Sequence, residues 1–503
     1  MYRKYYDYSG RCRLKTLTKA ALTITIIILT ISPVNEVFAS TKSNNIISLN
    51  AKINLPSNIY VNSGKSISNN NFSLGVMLDS ECNFWLGSST LQKTSSAANF
   101  KLIRLFNENM EPCSFWNDTA KTGVFNWTKV DSIVNSIFSN GAEPLLTLGY
   151  LAGGGYIMLP PGMQTTSTGL PSPSSWAAYS TQWVNHFKQT GAKVRYYEIF
   201  NEPWWYFYGS SDWTIKPNYT KLQYYRDVFN TAAMSMTTQN QNVSLGFDGS
   251  ERRYVLDWWL TNNGSNLGFV AFHKYDEGNI GDYNDSQMFS RAETLMINTD
   301  SYFYGISDIK QTYFNSRGKT VQVINSESNY DSAYATGTDP EIQQMAGTVW
   351  YALKLRSEIL AGVNYDIYYD FASGQSWQQA HGTGLGYGMI NLDNNAPWYP
   401  YYVAKMIGPN LAINDTIVNS TSASPSLEAI AWIHNVTLNV MVVNKANVNQ
   451  AVAFQGINKT LTITQIDNSI SYLNPAAQIV ALGAHQSITL NGYAVILAQT
   501  PLN

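Results

Sequence analysis

The feature that most constrains this fold is an eightfold alternation of strand and helix patterns across residues 71–410. Each apolar stretch of strand length is followed by a segment whose apolar residues have helical spacing. Eight such units close naturally into a parallel (β/α)8 TIM barrel with the helices outside. An open doubly wound sheet is less well supported, because no glycine-rich phosphate turn follows the first strand. The predicted barrel strands are Phe72–Asp79, Phe100–Phe106, Glu143–Tyr150, Tyr196–Glu202, Val243–Ser250, Gly268–Asp276, Thr320–Ser328 and Tyr365–Phe371.

A second pattern begins after the last predicted barrel helix. In residues 411–503 the helical period is absent, and short stretches of alternating apolar and polar residues follow one another. This pattern predicts a C-terminal β-sandwich domain. The segment 40–70 is polar and rich in turn residues, but it contains an alternating piece near residues 58–61. We regard that segment as a candidate for an additional strand of the sandwich.

The amino terminus, residues 1–39, has the pattern of a secretory signal peptide. Six basic residues within the first 19 positions precede the apolar run Ala20–Ile31. This run is short for a bilayer-spanning helix, so we expect a secreted or cell-surface protein. An uncleaved signal anchor is the alternative, and it alone would attach the chain to a membrane. Beyond this segment, Cys82 and Cys113 are the remaining cysteines, which predicts a disulfide bond between them in an exported chain. Eleven Asn-x-Ser/Thr sequences predict a glycoprotein.

Composition and motifs exclude several classes of function. Charged residues make up 13% of the chain and the formal net charge is −2, without the clustered positive charge that nucleic acid binding requires. The five histidines are scattered, and no His-x-x-x-His pair indicates a metal site. No Gly-x-Ser-x-Gly sequence indicates a serine hydrolase. We therefore predict neither a metal nor another cofactor.

Carboxylates at the ends of the predicted strands are the candidate chemical groups, because barrel active sites lie at the carboxyl ends of the strands. Glu202 and Glu327 stand out, since each comes directly at the end of an apolar strand. Glu198 lies on the same face as Glu202 but about 13 Å deeper, which assigns it to the barrel interior. The full set of carboxylates in this region is Glu81, Glu108, Glu202, Asp248, Glu251, Asp276, Glu327 and Asp370.

The fourth and seventh strands of a closed barrel can bring Glu202 and Glu327 together across its mouth. Two carboxyl groups about 5–5.5 Å apart support a retaining double displacement at a glycosidic bond. One must then stay protonated to act as acid while the other is ionised to act as nucleophile. The amide of Asn201 can bond a sugar hydroxyl, and the rings of Trp204 and Trp205 are expected at the rim, where they can stack on a sugar.

These residues resemble a known group of enzymes. Asn201-Glu202-Pro203 on the fourth strand, Glu327 on the seventh, Arg104 on the second and His273-x-Tyr275 on the sixth look like the motifs of clan A glycoside hydrolases. Family 39 is the most similar, with family 5 and other clan members behind it. The resemblance implies that Glu202 is the acid/base and Glu327 the nucleophile. It also implies that Asn201 bonds the sugar 2-hydroxyl, that Arg104 and Tyr275 keep Glu327 ionised, and that His273 contacts the sugar or Glu202.

The end of the eighth strand departs from the clan pattern. Many clan members have a tryptophan there, whereas this chain has Tyr368-Tyr369-Asp370. Tyr369 and Trp377 are therefore the candidates for the floor of the sugar site.

The sequence thus predicts a secreted retaining glycoside hydrolase that acts on β-linked oligo- or polysaccharides. Its activity would be similar to that of a β-xylosidase, a xylanase or a glucanase. Two alternatives stay open: a non-catalytic carbohydrate-binding protein of the cell surface on the same scaffold, and a transglycosylase that uses the same two glutamates.

Overall fold

The computed structural model describes residues 56–502 apart from residue 80 and the ranges 153–155, 210–214, 263–266, 295–304, 311–319, 334–336, 470–477 and 484–485. The predicted signal peptide lies outside the described residues. Among the helices that are described, none combines the length and the apolar character needed to cross a membrane.

Within this part of the chain, strands and helices alternate much as the sequence predicts. The strands are β1 Ser57–Asn69, β2 Ser73–Leu78, β3 Leu102–Phe106, β4 Cys113–Asn117, β5 Thr122–Phe125, β6 Glu143–Ala152, β7 Tyr156–Met158, β8 Tyr196–Asn201, β9 Ser244–Gly246, β10 Phe269–Glu277, β11 Gln322–Asp331, β12 Tyr365–Tyr368, β13 Ala372–Ser373, β14 Ile390–Asn391, β15 Ala396–Pro397, β16 Thr416–Ser422, β17 Leu427–His434, β18 Thr437–Asn444, β19 Gln450–Gln455, β20 Leu461–Ile466, β21 Gln478–Leu482, β22 Ser487–Leu490 and β23 Val495–Pro501. The helices are α1 Cys82–Gly87, α2 Ser89–Ala97, α3 Thr128–Ser139, α4 Pro173–Thr190, α5 Trp204–Tyr208, α6 Tyr219–Gln239, α7 Arg253–Thr261, α8 Asp285–Thr294, α9 Ile306–Asp308, α10 Met345–Ala361, α11 Gln375–His381 and α12 Tyr399–Ile407.

Eight parallel strands form the barrel, which confirms the predicted fold class. Their order is β10-β11-β12-β2-β3-β6-β8-β9. A parallel bridge between Asp248 and Ala271 joins the region after β9 to β10 and completes the ring. The side chains of the strands are almost all buried, as expected when helices cover the outside of a parallel sheet. The carboxyl ends of all eight strands therefore meet at one mouth.

Local sequence signals explain where the barrel helices begin and end. The side chain of Ser172 accepts a hydrogen bond from the backbone of Ser175 and caps the start of α4. The same helix ends at Gly191, whose left-handed backbone (φ 79°) suits a residue without a side chain. Helix α10 ends in the same way at Gly362 (φ 81°). These signals fix where each helix ends and the next strand can begin.

The second domain is one nine-stranded sheet in the order β21-β20-β23-β18-β17-β16-β1-β19-β22. A single apolar cluster draws on strands from both halves of this order, including Ile463, Ile496, Val452 and Leu490. The sheet must therefore curve around its own core, as the two layers of a sandwich do. Strand β1 pairs antiparallel with β16 and parallel with β19, so the amino-terminal strand is an internal member of this sheet.

The barrel and the second domain share an interface. The indole of Trp432 on β17 donates to the backbone carbonyl of Asn410, at a distance of 2.5 Å. Arg356 on α10 forms an ion pair with Glu428 on β17. Apolar residues of β17, β18 and β23 belong to the same buried cluster as the barrel. The two domains therefore pack as one continuous core.

The structure contradicts the expected disulfide bond. Both Cys82 and Cys113, which the structure describes, are buried free thiols. The thiol of Cys82 faces the backbone carbonyl of Asp79 at 3.2 Å, on the short helix after β2. That of Cys113 faces the carbonyl of Phe115 at 3.3 Å, in the β4–β5 hairpin. Each sulfur contacts its own chain segment, so the expectation that two cysteines of an exported chain pair with each other is wrong here.

Candidate active site

Arg104 on β3 lies at the centre of the polar core below the barrel mouth. Its guanidinium is fully buried and donates to Glu198 Oε2 at 2.6 Å and to Glu327 Oε2 at 2.7 Å. It also donates to Asn201 Oδ1 at 2.8 Å. A planar guanidinium with five N–H donors suits such a branched role. This one side chain therefore fixes groups from the fourth and seventh barrel strands.

Glu198 proves to be an interior residue, as its depth in the strand predicts. Its side chain is fully buried, and it accepts from Arg104, from Thr147 at 2.9 Å and from Ser326 at 2.9 Å. Ser326 is the extra residue at a register shift between β10 and β11. The shift turns Ser326 inward and places Glu327 beside His273 on the neighbouring strand. Glu198 thus anchors the scaffold from below.

Glu327 is surrounded by groups that favour its ionised form. Tyr275 donates to Oε1 at 2.5 Å, while Arg104 donates to Oε2. Burial by itself would raise the pKa of Glu327, but the charges of His273 and Arg104 and the hydrogen bonds from Tyr275 and Arg104 lower it below its ordinary value. The structure therefore provides a buried carboxylate that is held as an anion.

Glu202 sits at a sharp turn that follows β8. Phe200 and Glu202 have left-handed backbone, with φ of 62° and 43°, which non-glycine residues seldom adopt. The ring of Phe200 stacks on Trp176, with centroids 4.4 Å apart, and lies across Gly149, where a Cβ would meet the ring at 2.5 Å. Such backbone geometry clusters at functional sites. Here it turns Glu202 toward the barrel mouth, where its side chain is 23% exposed.

His273 lies between the two glutamates. Its Nδ1 is 3.3 Å from Glu202 Oε1 and 3.9 Å from Glu327 Oε2. Because both distances share Nδ1, Glu202 Oε1 and Glu327 Oε2 are no further apart than the sum of 3.3 Å and 3.9 Å. That limit includes the separations of both retaining enzymes, about 5–5.5 Å, and the closer inverting ones, from about 6.5 Å. The structure thus brings together the two residues that the sequence singles out.

Asp248 completes this cluster from the end of the fifth strand. Its Oδ2 is 3.5 Å from Nδ1 of His273 and accepts from the indole of Trp204 at 2.7 Å. Burial raises the pKa of Asp248 to about 6. Burial would lower the pKa of His273, but the charges of Asp248 and Glu327 and the hydrogen bond to Glu202 raise it to about 9. The imidazole therefore carries a proton at neutral pH.

The two tryptophans after Glu202 have different positions. Trp205 is partly exposed, and its indole donates to Glu202 Oε2 at 2.9 Å. Trp204 is only 5% exposed, stacks on Trp205 and bonds Asp248. Trp204 is thus not at the rim, where the sequence places it. A helical turn starts at Pro203, and the side chain of Trp204 therefore turns inward toward the fifth strand.

Aromatic residues at and after the end of the eighth strand form one cluster. Tyr369 is buried and donates to Asp79 Oδ2 at 2.9 Å. Its ring is 5.0 Å from Tyr387, which in turn is 5.3 Å from Trp377 and 6.3 Å from Tyr275. The structure therefore gathers the two predicted floor residues around Tyr387, on the side of the nucleophile candidate.

Sequence reasoning missed Tyr387 and gave Asp248 no special weight. Asp248 follows a described strand of only three residues, so its position at a strand end is a weak signal. Tyr387 lies in a loop between α11 and β14, far from any strand end in sequence. No pattern in the chain connects it to the barrel mouth.

Glu202, Asp248 and His273 could in principle ligate a cation, since one ligand atom from each lies within 4.8 Å of the others. Two of these groups already accept indole N–H bonds, from Trp205 and Trp204. The protonated imidazole offers no lone pair at Nδ1. The donor set therefore fits a cluster that shares protons better than it fits a metal.

Comparison with known proteins bears on the fold. No protein-family model and no curated protein sequence matches this chain. Solved structures do match. A GH39 β-xylosidase from Caulobacter crescentus superimposes with a TM-score of 0.60 at 13% identity, over 88% of this chain and 99% of that one. An α-L-arabinofuranosidase from Thermotoga maritima gives a TM-score of 0.61 at 13% identity, over 89% and 100%. A GH30 endoxylanase from Clostridium papyrosolvens gives 0.56 at 14% identity, over 88% and 100%.

The chain has the fold of clan A glycoside hydrolases. This agrees with the fold that the resemblance implies, and the likeness covers both the barrel and the C-terminal sheet. At such low identity the likeness concerns the fold alone. The activity must be argued from the residues at the barrel mouth.

Proposed function

We propose that this protein is a retaining glycoside hydrolase of β-linked glycans, with Glu327 as nucleophile and Glu202 as acid/base. The observation that carries the proposal is the asymmetric environment of the two carboxylates. Glu327 is buried and held as an anion by Arg104 and Tyr275, whereas Glu202 is partly exposed and touches a protonated histidine. A double displacement requires one carboxyl group that is ionised to attack and a second that donates a proton, and a buried anion beside a partly exposed carboxyl group supports these two roles.

In the first step, Glu327 attacks the anomeric carbon and the glycosidic oxygen leaves. Glu202 donates a proton to that oxygen as the bond breaks. His273 carries a proton at Nδ1, 3.3 Å from Glu202, and can stabilise by a hydrogen bond the carboxylate that Glu202 becomes. In the second step, Glu202 takes a proton from water, which releases the sugar from Glu327 with its original configuration.

Asn201 and Arg104 support substrate positioning in this proposal. Arg104 engages the amide oxygen of Asn201, so the amide nitrogen is the atom left to donate to a sugar hydroxyl. A hydroxyl next to the anomeric carbon gains from such a bond as positive charge develops on the ring. Of the aromatic cluster after the eighth strand, Trp377 is the partly exposed member, and its ring packs on the buried Tyr387, so Trp377 is the ring that we propose for stacking on a sugar.

For the substrate, we propose a glycan with a β-linked backbone, and xylan as the first to test. The structures with this fold include a protein described as a β-xylosidase and another described as an endoxylanase. A screen over xylan, glucan, mannan and galactan with analysis of product lengths would identify the sugar and distinguish endo from exo action.

Replacement of each glutamate by glutamine tests the assignment. On a glycoside with a poor leaving group, Glu202→Gln should lower kcat/KM by about 10²–10⁴-fold, because proton donation is lost. Glu327→Gln should lower it by about 10³-fold or more, because the amide is not a nucleophile. Glu143→Gln is the matched control, since Glu143 begins β6 at the opposite end of the barrel and pairs with Arg195.

The outcome also separates the hydrolase from its rivals. A wild-type protein that binds glycans but releases no product on any of them would favour a non-catalytic binding protein. Transfer of the sugar to an added glycan in place of water would favour a transglycosylase. Near-normal turnover by either glutamine variant would refute the role assigned to that residue.

We also propose that the chain is exported, with residues 1–39 as a signal peptide. The basic start and the short apolar run support this. Amino-terminal sequencing of the protein from the native culture medium tests it. A mature chain that begins near residue 40 is expected, and a cell-associated protein that retains residues 1–39 would indicate a membrane anchor.

A further inference from the structure

A second group of carboxylates lies beyond the candidate active site, on the same pair of strands. Glu277 ends β10 and Asp331 ends β11, and the two are directly opposite in the parallel register. Asp339 precedes the short 3-10 helix Pro340–Gln343 and caps it, as its Oδ1 accepts from the backbone of Glu341 at 2.8 Å. Three separate points of the chain thus meet at one place.

The three side chains converge closely. One carboxylate oxygen from each of Glu277, Asp331 and Asp339 lies within 4.8 Å of the other two. All three residues are buried, with exposed fractions of 2%, 0% and 7%. The carboxyl groups of Glu277 and Asp339 are within hydrogen-bonding range of each other, so a proton or a cation must lie between them. Such an approach of acids is unfavourable unless positive charge offsets it.

One oxygen in this cluster lacks any hydrogen-bond donor. Oε1 of Glu277 accepts from the backbone of Tyr283 at 3.3 Å, but the buried Oε2 has no partner among the described residues. Buried carboxylate oxygens are otherwise satisfied in folded proteins. The orphan oxygen and the converging acids together call for a cation.

We propose that Glu277, Asp331 and Asp339 bind a calcium ion. Calcium prefers carboxylate oxygen ligands at about 2.3–2.6 Å, so two ligands on opposite sides of the ion are up to about 5 Å apart. The span of the three oxygens fits that limit. Magnesium demands strict octahedral geometry with bonds of about 2.0–2.1 Å, whereas calcium accepts an irregular set of oxygens drawn from three separate segments. The site is structural, because it ties β10 and β11 together and fixes the start of the 3-10 helix that precedes α10.

The location gives the ion a role in the barrel mouth. His273 and Tyr275 precede Glu277 on β10, and Glu327 precedes Asp331 on β11. A cation that clamps the ends of both strands would hold these three residues in place. The inference itself does not depend on the proposed hydrolase activity, since calcium binding can be measured without a substrate.

Calcium titration of the full-length protein after treatment with a chelator tests the proposal. We expect one ion per chain by calorimetry and an increase in Tm of about 2–4 °C at saturating calcium. Glu277→Gln should weaken binding at least about tenfold and remove most of the Tm increase. Asp339→Asn, which keeps an oxygen that can cap the 3-10 helix, should have a similar effect. Magnesium at the same concentration should stabilise the protein less.

Glu202→Gln is the matched control, because Glu202 belongs to the other cluster that could ligate a cation. This variant should bind calcium like the wild type. If Glu202→Gln lost calcium binding while Glu277→Gln retained it, the ion would be bound at the active-site cluster, and the proposal would be overturned. Absence of any calcium effect on the Tm of the wild type would also overturn it, and this readout needs no variant to fold.

Discussion

At the residue scale, Arg104 explains how an ionised glutamate can be kept in a buried place. Its guanidinium bridges Glu198 below and Glu327 above, and it positions the amide of Asn201. An unpaired buried carboxylate would take up a proton, but two hydrogen bonds to charged or phenolic groups prevent this for Glu327. The chemistry of the candidate nucleophile therefore depends on its neighbours as much as on its position at a strand end.

Tyr275→Phe tests that dependence. Without the 2.5 Å hydrogen bond from Tyr275, one of the interactions that lower the pKa of Glu327 is lost, and the pKa rises. Since Glu327 must be ionised to attack, the acid limb of the kcat/KM profile should move to higher pH, with about a 10–100-fold lower kcat. The control is Tyr197→Phe, which removes a buried hydroxyl without a hydrogen bond among the described residues. An unmoved acid limb in Tyr275→Phe would contradict the account.

The residue scale also shows where the sequence is informative. Residues predicted at the ends of separate strands do come together, because the carboxyl ends of all parallel barrel strands lie at one mouth. They are Glu202, Glu327, Arg104, His273 and Tyr275. Trp204 does not follow its prediction. Its neighbour Glu202 has left-handed backbone and a helical turn follows, and neither feature has a signature in the residue types.

At the element scale, helix α10 carries a buried charge that fixes it to the barrel. Lys354 donates to Asp366 on β12 at 2.6 Å, and both side chains are fully buried. Its ammonium also lies 5.2 Å from the ring of Trp350. Helix α10 is buried on nearly all sides, so an amphipathic face alone cannot determine its position. The ion pair with Asp366 fixes the helix relative to β12.

Lys354→Met should destabilise the protein by about 3–5 kcal/mol, because it leaves Asp366 buried without its partner. The measurement is chemical unfolding followed by circular dichroism. Arg195→Met is the control, since Arg195 pairs with Glu143 at an exposed position, and its loss should cost no more than about 1 kcal/mol. Equal effects of the two substitutions would show that the buried pair does not fix the helix.

Elements with a strong period were predictable, and short ones were not. The predicted helix over residues 174–190 and the observed α4, Pro173–Thr190, differ by one residue, because a serine cap and a glycine stop mark its ends. The β4–β5 hairpin and the small sheet of β13, β14 and β15 were missed. Their strands have two to five residues, too few for a period to emerge above irregular sequence.

At the scale of the whole molecule, the amino-terminal strand links the two ends of the chain. Strand β1 pairs with β16 and β19, and it then leads directly into the first barrel strand. Its residues Ile59 and Val61 are buried in the core of the second domain. Without β1, the strands β16 and β19 would each expose an edge, which is a site for aggregation.

Removal of residues 1–70 should therefore lower the Tm strongly and promote aggregation, compared with a protein that begins at residue 55. Differential scanning calorimetry and light scattering provide the measurements. The substitution of Ile59 by Asp in the longer protein should reproduce the loss, because it places a charge in the same apolar core. A shortened protein with unchanged Tm would show that β1 adds little to the sheet.

The central claim, that Glu327 is the nucleophile and Glu202 the acid/base, is tested most directly by azide rescue of the alanine variants. In Glu327→Ala, azide occupies the vacated space and attacks the face opposite the leaving group, so a β-glycoside should give the α-glycosyl azide. In Glu202→Ala, azide attacks the sugar bound to Glu327, so the β-glycosyl azide is expected. Nuclear magnetic resonance of the products distinguishes the anomers. The opposite pairing of variant and product, or no rescue of either variant, would contradict the account.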